Sequence, residues 1–577
     1  MFQGEKVVEN KTCKQCNSSF EITDKDLEFY EKISPIFANP GVEKETPGLK
    51  INHDGKKYLI PSPTLCPDCR QQRRQAFKNI YHLYKNEETG LISAISPDKG
   101  LNVISQKEWW EESDLGLTFG RRYDFNKSFF EQFHELQCVA PRWNLIQVGC
   151  ENCERSINIA NSKNCYLVKS GGDSEDCLYG ERVFNSKNIV DGYRVKFSDN
   201  CYEVYYADNC FNVHFSKDTK NSRDSLYLSD CENVSNCIGC VGLRNKEYHI
   251  LNKKVSKEQF LKYKSYILSS KKNRDNFLEL FYELKKTIPV KCIIIDESEN
   301  CYGNEIFNSK NVFYGFSVRD LEDAKYVYDG ANSKDVMDVN GDDNGILGYE
   351  NCSVFTPYNS AFCFNVATVS DSYYCETSVN LKNCFGCVGL HDKSYCILNK
   401  QYSKEDYERL VPDIIEQMIK VGEWGEFFPA SLSPYGYNES EAQEYFHLKK
   451  DEALKQNFNW STYEAPFPKV EKTINANKLP EQIEKIPDDI LNRAIKCEVT
   501  NRPFKIIKQE LEFYRKHNLP IPRRHPDQRH ADIMAMRNPR KIFDRKCDKC
   551  EKDIKTTYDP DRSEIVYCEE CYNKEIY

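Results

Sequence analysis

A twelve-residue period in the middle of the chain restricts its fold more than any other feature. An Asn or Asp followed by a small apolar residue recurs at positions 164, 176, 188 and 200. The residues between these positions are rich in Tyr, Phe and Val, which is typical of strands. Such a period predicts a parallel β-solenoid, for which we expect two twelve-residue steps in each coil. Asn and Asp suit the corners because they tolerate a left-handed backbone and their amides can form ladders between coils.

The periodic region occurs twice. The sequence NSKN at 161–164 reappears at 308–311, and NCIGCVGL at 236–243 reappears as NCFGCVGL at 383–390, so both pairs share an offset of 147 residues. The constant offset predicts two tandem modules of one kind. Ser256 and Ser403 follow the two copies at positions typical of helix N-caps, three residues before Gln259 and Asp406. We expect these helices to cover the ends of the modules, where unpaired strand edges would promote aggregation.

The two copies indicate what most of the central cysteines do. Cys165 corresponds to Val312, and Cys177 corresponds to Ala324. A small buried hydrophobe can replace a packed thiol but cannot replace a metal ligand, so these cysteines are expected to pack inside the modules. Packing is also favoured over metal for two pairs that both copies keep, although metal binding stays open there: Cys237 with Cys240, and Cys384 with Cys387.

Cysteine knuckles of the form C-x2-C lie near both ends of the chain. Four thiolates in this arrangement form a closed tetrahedral Zn²⁺ site with no ligand position left for a substrate. Residues 27–32 (LEFYEK) parallel residues 511–516 (LEFYRK), so the N-terminal module has a second copy. In that copy the ligand positions have become degenerate, and metal binding by its Cys497 and His525 stays open. The sequence predicts two zinc ions, with these ligands: Cys13, Cys16, Cys66, Cys69, Cys547, Cys550, Cys568 and Cys571.

Basic residues cluster beside the knuckles of an acidic chain. The formal net charge is −9, whereas the stretch between Cys497 and Cys547 holds thirteen Lys or Arg and six Asp or Glu. Lys and Arg release counterions from phosphate backbones, so RNA or a ribonucleoprotein is an expected partner. The competing interpretations are a solvated helix face and an intramolecular contact with the acidic solenoid. The candidate nucleic-acid contacts are Arg70, Arg73, Arg74, Arg523, Arg524, Arg529, Arg537, Arg540 and Lys541.

Catalytic and targeting motifs are scarce. The sequence has no P-loop, no glycine-rich dinucleotide motif, no GxSxG and no HExxH, which argues against an enzyme. It has no apolar run long enough to span a bilayer, and its first six residues are unlike a signal peptide. The 27 cysteines are an odd number and include metal-type knuckles, which favours a reducing compartment. We expect a cytoplasmic protein that does not enter a membrane.

Three further stretches have distinctive sequences: CPDCRQQRR at 66–74, GEWGEFFP at 422–429 with SLSP at 431–434 and GYNE at 436–439, and IPRRHPDQRH at 521–530. In these stretches the chain resembles an uncharacterised family of cysteine-rich zinc-ribbon proteins from candidate-phyla bacteria (Patescibacteria). The resemblance runs over nearly the full length. It implies a bacterial cytoplasmic protein, and it supplies no mechanism because the family has no established activity.

The sequence therefore predicts a mainly β chain. Two tandem parallel β-solenoid modules with capping helices are flanked by N- and C-terminal zinc-ribbon α+β modules. The expected segments are a zinc-ribbon module at 1–125, solenoid copies at 126–252 and 291–399, helices at 253–290, a helical cap and linker at 400–490, and a basic segment with a zinc ribbon at 491–577. We expect a non-enzymatic zinc-binding scaffold that contacts RNA through its basic ends. The alternatives are a protein–protein scaffold that uses the solenoid face and, less favoured, a carbohydrate-active β-helix enzyme.

Overall fold

The computed structural model describes residues 4–37, 55–79, 83–464, 470 and 472–577. The chain divides into two compact units, and each is built from two separate stretches. Unit 1 combines residues 1–144 with 293–463, and unit 2 combines residues 145–292 with 464–577. The N-terminal module therefore shares a unit with the second periodic region, and the C-terminal modules share one with the first. The six contiguous segments expected from the sequence are a finer division than these two units, and their boundaries stay predictions.

The N-terminal stretch is a mixture of short strands and helices. It begins with a hairpin whose antiparallel strands lie on either side of the first cysteine knuckle. Its strands are β1 (Val7–Thr12), β2 (Ser19–Thr23), β3 (Ile36–Phe37), β4 (Lys56–Lys57), β5 (Tyr84–Lys85), β6 (Ile92–Ser93), β7 (Val103–Ile104) and β8 (Arg142–Trp143). Its helices are α1 (Asp24–Ile33), α2 (Pro67–Gln75), α3 (Gln106–Glu111) and α4 (Phe129–Val139), and a 3-10 turn spans Leu115–Phe119.

The first periodic region forms an eleven-stranded sheet in chain order, which we call β-module 1. Its strands are β9 (Gln147–Val148), β10 (Ile157–Ala160), β11 (Lys169–Gly172), β12 (Glu181–Phe184), β13 (Lys187–Lys196), β14 (Asp199–Asp208), β15 (Phe211–Lys220), β16 (Arg223–Leu226), β17 (Ser229–Ile238), β18 (Arg244–Ile250) and β19 (Lys253–Lys254). Helices α5 (Lys257–Ser269) and α6 (Lys271–Thr287) and strand β20 (Val290–Lys291) follow. Ser256 caps α5 in a capping box with Gln259, as predicted.

The second periodic region forms the matching eleven-stranded sheet, β-module 2. Its strands are β21 (Ile295–Asp296), β22 (Glu299–Phe307), β23 (Lys310–Arg319), β24 (Glu322–Tyr328), β25 (Lys334–Asp343), β26 (Ile346–Phe355), β27 (Tyr358–Ala361), β28 (Phe364–Ser370), β29 (Val379–Phe385), β30 (His391–Ile397) and β31 (Lys400–Gln401). Helices α7 (Lys404–Val421), α8 (Glu441–Tyr445) and α9 (Lys450–Lys455) follow. The side chain of Ser403 caps α7, which confirms the predicted start of this helix.

Strand pairing in both modules follows a twelve-residue register. Ile189 pairs with Cys201 in β-module 1, and Val336 pairs with Gly348 in β-module 2. Neighbouring strands run parallel except for the last pair of each module. The expectation of two twelve-residue steps per coil is wrong, because parallel partners lie twelve positions apart, or eleven at the start of β-module 2, and not twenty-four. A coil of twelve residues, in place of twenty-four, is possible because the side chains that face inward are small.

Every third residue of the modules faces an interior cluster. In β-module 1 these residues include Ile159, Cys165, Val168, Cys177, Val183, Ile189, Val195, Cys201 and Val204. The residue before an inward one has a positive φ, as at Asn164 (53°) and Asp176 (55°), which confirms the predicted left-handed corners. Cys165 and Cys177 therefore pack among apolar side chains, as the comparison of the two copies predicted.

Polar ladders join successive strands on the outside and inside of the modules. Asn164 Nδ2 donates to Asp176 Oδ1 at 3.1 Å, and Asn311 Nδ2 donates to Asp323 Oδ1 at 2.8 Å, which confirms the predicted amide ladders. Inside, the hydroxyl of Ser174 donates to the Gly172 carbonyl and accepts from the backbone N–H of Ser186. The small inward hydroxyls are thus hydrogen-bonded, as buried polar groups must be.

The C-terminal stretch contains two short α+β modules. Its strands are β32 (Lys472–Asn475), β33 (Arg493–Lys496), β34 (Pro503–Phe504), β35 (Phe543–Lys546), β36 (Asp553–Thr556) and β37 (Val566–Tyr567). Its helices are α10 (Lys508–Lys516), α11 (Pro526–Met534) and α12 (Glu569–Ile576). Across the described ranges, no helix has the length and apolar character needed to cross a bilayer.

Candidate metal centres and the helices they position

The four N-terminal cysteines meet between a hairpin turn and a helix N-terminus. Cys13 and Cys16 lie in the turn between β1 and β2, and Cys66 and Cys69 lie at the start of α2. Their sulfur atoms all lie within 4.8 Å of one another, and Cys16 Sγ is 3.7 Å from Cys66 Sγ. An ion with Zn–S bonds of about 2.3 Å separates tetrahedral sulfurs by roughly 3.8 Å, so this set fits a metal ion of that size.

The four C-terminal cysteines repeat this arrangement. Cys547 and Cys550 lie in the turn between β35 and β36, and Cys568 and Cys571 begin α12. All four sulfurs lie within 4.8 Å of one another, and Cys550 Sγ is 3.8 Å from Cys568 Sγ. Burial disfavours ionisation of Cys547, but the backbone N–H groups of Cys568, Lys549 and Cys550 lower the pKa of this thiol to about 6. A thiolate is the form that binds metal.

A third module has the same backbone without the four thiols. Cys497 accepts the Asn501 N–H on its carbonyl, and its own N–H donates to Arg502, as Cys547 does with Glu551 and Lys552 in the C-terminal set. His525 stands at the N-cap of α11, where the other two modules have a cysteine. In the described part of the chain, only the N-terminal and C-terminal sets bring together three or more candidate ligands. The module around Cys497 therefore keeps the ribbon shape with a degenerate ligand set.

Helix α2 carries the arginines of the first predicted nucleic-acid patch into the core of unit 1. Arg70 and Arg74 are 1% and 0% exposed. Arg70 Nε donates to Asp338 Oδ2 at 2.9 Å, and Arg74 donates to Glu350 at 2.8 Å and to Asp338 at 3.3 Å. Arg73 donates to Glu350 at 3.2 Å. We call this cluster of three arginines and two carboxylates the unit 1 clamp.

Charge and burial act in opposite directions in the unit 1 clamp. Desolvation raises the pKa of Asp338, although Arg70 and Arg74 oppose this shift. Desolvation also acts on Glu350, but the three surrounding guanidinium groups prevail and lower the pKa of this carboxyl. A buried ion pair is costly to break from one side, because the remaining charge is then uncompensated. The clamp therefore holds α2 against β25 and β26.

Helix α11 makes the same contact in unit 2 with one arginine. Arg529 is 4% exposed and donates to Asp191 at 2.7 Å and to Glu510 at 3.1 Å. Its guanidinium stacks over Tyr179 at 4.4 Å, as that of Arg70 stacks over Tyr326 at 5.5 Å. Burial raises the pKa of Asp191 to about 8, although Arg529 opposes this shift. We call these residues the unit 2 clamp.

The two clamps occupy matching places in the repeat. Asp191 and Asp338 are separated by the same 147 residues that relate the two modules. The ring pairs beside them match as well, because the centroids of Tyr30 and Tyr349 and those of Tyr514 and Tyr202 are both 5.3 Å apart. These acidic residues were not predicted from the sequence. Their signal was a carboxylate kept at the same place in both copies.

The structure thus places four of the nine predicted nucleic-acid contacts inside the protein, where they make the intramolecular contact that the sequence left open as an alternative. The other five lie nearer to the surface. Arg523 donates to the carbonyls of Ala476 and Leu479, and Arg524 pairs with Glu498 and Asp532. Arg537 and Arg540 are partly buried, and Lys541 is exposed. A contact between these five and a nucleic acid stays a prediction.

No family model matches this chain, and no curated protein matches it.

Proposed function

We propose that this protein is a non-enzymatic binding scaffold whose two four-cysteine sets each hold one Zn²⁺. The observation that carries the proposal is the spacing of the eight sulfurs, which suits two closed tetrahedral sites. Cys66 and Cys568 begin helices of only nine and eight residues, which are too short to be stable alone. Zinc at the four-cysteine sets would fix these helices, and α2 in turn supplies the unit 1 clamp.

Each β-module is proposed to be a closed parallel β-solenoid with twelve residues per coil. The twelve-residue register and the inward side chains at every third position support this shape. Modules of this kind grow by stacking identical steps, so they present regular outer faces to a partner. A cytoplasmic location and membership in the candidate-phyla bacterial family are proposed from the sequence alone.

A protein partner is favoured over RNA. The four arginines with the strongest buried contacts are neutralised by carboxylates of their own unit, so their charge is not offered to phosphates. Filter binding over a salt series tests the RNA alternative. Affinity that falls steeply with salt would favour RNA, since phosphate contacts release counterions. Absent or salt-insensitive binding would support the protein partner.

Elemental analysis of the purified chain tests the zinc sites. Two zinc ions per chain are expected, falling to one after Cys13→Ser or Cys547→Ser. The matched control is Cys138→Ser, which replaces an exposed thiol outside both sets and should leave two zinc ions. A folded chain that contains no zinc would overturn the proposal.

A further inference from the structure

The last turns of the two β-modules have similar sequences, LRNKEYHILN at 243–252 and LHDKSYCILN at 390–399, and the same backbone at their final residue. Asn252 and Asn399 both take a left-handed backbone, with φ of 61° and 62°. Each bonds the backbone of the turn before the last parallel strand in the same way, Asn252 through Val241 and Asn399 through Val388. The corresponding residues of the two ends are Leu243 and Leu390, Lys246 and Lys393, Leu251 and Leu398, and Asn252 and Asn399.

In unit 1 a segment of the N-terminal stretch covers this end. The segment runs over residues 114–121, and we call it the covering segment. Asp114 forms an ion pair with Lys393 at 2.8 Å, and the Gly116 carbonyl accepts from Asn399 Nδ2 at 3.0 Å. The Arg121 N–H donates to the Leu398 carbonyl. These contacts extend along the last turn of β-module 2.

The covering segment also closes the apolar end of β-module 2. Leu117 packs against the inward cluster that contains Leu390, which is 1% exposed. A Cβ at Gly116 would lie 2.6 Å from Leu390 Cδ2 and 2.7 Å from the Gly389 carbonyl oxygen, so this position of the segment must be glycine. As a result Leu398 and Asn399 are both fully buried.

In unit 2 the same place is a cavity of about 380 Å³. Its lining includes Leu243, Lys246, Asn252, Ile288, Ile576 and Tyr577. Leu243, Leu251 and Asn252 are partly exposed and Lys246 is exposed, whereas Leu390, Leu398 and Asn399 are buried and Lys393 is partly buried. The volume is in the range of ligand sites.

One part of this end is filled in both units. Arg244 of unit 2 corresponds to His391 of unit 1. The guanidinium of Arg244 stacks over Tyr577 at 4.9 Å, and the ring of His391 packs against Trp109 at 4.5 Å. An aromatic side chain therefore already contacts this position in unit 2. Among the described residues of unit 2, the groups left partly or fully exposed at this end correspond to those that contact the covering segment in unit 1.

We propose that the unit 2 cavity binds a peptide segment of a partner protein with the pattern Asp-x-Gly-Leu. Lys246 would pair with the Asp, and Asn252 Nδ2, which bonds Val241 within the described structure, would donate its second hydrogen to the Gly carbonyl. Leu243 would receive the Leu side chain at the end of the inward cluster. The inference deepens the proposed scaffold function and rests on it for the choice of a protein partner.

Fluorescence anisotropy with a labelled peptide tests the proposal. The probe is ESDLGLTFGR, the sequence of residues 112–121, titrated with the full chain after two zinc ions per chain have been measured. Saturable binding of one peptide per chain is expected. A second probe has Val in place of the Gly that corresponds to Gly116. It should bind about tenfold more weakly or worse, because the added side chain would overpack the site.

A charge exchange locates the contact. Lys246→Glu should weaken binding by about two- to fivefold, and a probe with Lys in place of Asp should recover it. Lys253→Glu is the matched control, because Lys253 is an exposed lysine on β19 that does not line the cavity. Should Lys246→Glu fail to fold, a benzophenone at the Phe of the probe must crosslink to residues 241–252 or 575–577 of the unaltered chain.

The outcomes separate this proposal from the scaffold function. Absence of binding to a folded chain with two zinc ions would overturn the peptide site and leave the zinc scaffold intact. Equal weakening by Lys246→Glu and Lys253→Glu, or equal affinity for the Gly and Val probes, would also overturn it. Loss of zinc would contradict the scaffold function before any peptide is added.

Discussion

Units 1 and 2 hold corresponding helices against corresponding β-modules by different means. In unit 1, α2 follows a four-cysteine set and inserts three arginines between Asp338 and Glu350. In unit 2, α11 follows the degenerate set and inserts Arg529. The apolar cluster around α10 surrounds Cys497 in unit 2. The difference indicates that a four-cysteine set is replaceable in this backbone when apolar packing is sufficient, whereas the arginine–aspartate contact is kept in both units.

The largest expected effect separates the two ligand sets. Cys69→Ser removes one thiol of the set that we propose holds zinc in unit 1, and the module should then lose on the order of 5 kcal/mol or more, because structural zinc contributes about 10–16 kcal/mol. Cys497→Ser changes a buried thiol at the degenerate site and should cost about 1 kcal/mol. The two variants are compared by the hydrogen-exchange protection of α2 and α11, and the zinc content of each variant is measured alongside. Equal protection in both variants would remove the distinction between the sets.

The clamps should differ in their tolerance of a lost arginine. Arg529→Ala leaves Asp191 and Glu510 without the cation that faces both, and we expect a loss of about 3–5 kcal/mol in the free energy of unfolding. Arg70→Ala should cost less, because Arg74 still lies 3.3 Å from Asp338. Denaturant unfolding of both variants is the measurement, with exposed Lys541→Ala as control. A greater loss for Arg70→Ala would contradict the shared charge of the unit 1 clamp.

A buried carboxyl group should make the free energy of unfolding of unit 1 depend on pH. Asp342 is fully buried inside β-module 2, where β-module 1 has Val195, and within the described structure neither of its carboxylate oxygens has a hydrogen-bond partner. Desolvation, and then the charge of Asp343, raise the pKa of Asp342 well above its ordinary value. The stability due to the neutral acid is full below the unfolded pKa of about 3.9 and is lost as the pH rises towards the folded pKa.

Asp342→Asn should remove this dependence. The variant should resemble the unaltered chain near pH 4 and gain stability at higher pH, by up to about 1.4 kcal/mol per pH unit below the folded pKa. Unfolding measured over a pH series checks this. Val195→Asp is the mirror variant, and it should introduce the same slope in unit 2. A pH-independent difference between Asp342→Asn and the unaltered chain would show that Asp342 is ionised in the fold.

The smallest expected effect is shared by both units. Lys187 pairs with Glu175 at 2.8 Å on β-module 1, and Lys334 pairs with Glu322 at 2.8 Å on β-module 2. These exposed pairs occupy corresponding positions and are screened by water and salt. Lys187→Ala and Lys334→Ala should therefore leave the thermal unfolding midpoint almost unchanged. A large shift in one unit alone would reveal a structural difference between the modules.

The repeats and the cysteine sets could be predicted from the sequence because their signals are local. The twelve-residue period gave the parallel strands and the left-handed Asn and Asp corners, and the spacing of C-x2-C gave both four-cysteine sets. The coil length was misjudged because a period of twelve permits one step or two. Small side chains at every third position, such as Cys165 and Val168, carried the missing information.

The partners of the terminal modules could not be predicted in the same way. Arg70 and Asp338 are 268 residues apart, and nothing near either residue identifies the other. A basic helix in an acidic chain has the same composition whether it faces phosphates or internal carboxylates. The distinction comes from burial, which depends on the tertiary pairing of distant stretches. The match of Asp191 with Asp338, 147 residues apart, was a sequence signal that pointed to these contacts.

The constant strand register also governs how such a chain can change length. Removing twelve residues from the middle of a β-module would delete one twelve-residue repeat, which we call a rung. Every remaining side chain would keep its inward or outward direction. Removing a single residue would shift the inward pattern from that point onwards. Such an irregularity lies between Tyr302 and Gly303 at the beginning of β-module 2, where few strands of the module precede it. Variation in module length is therefore expected in whole rungs, and slips of one residue should be confined to the module ends.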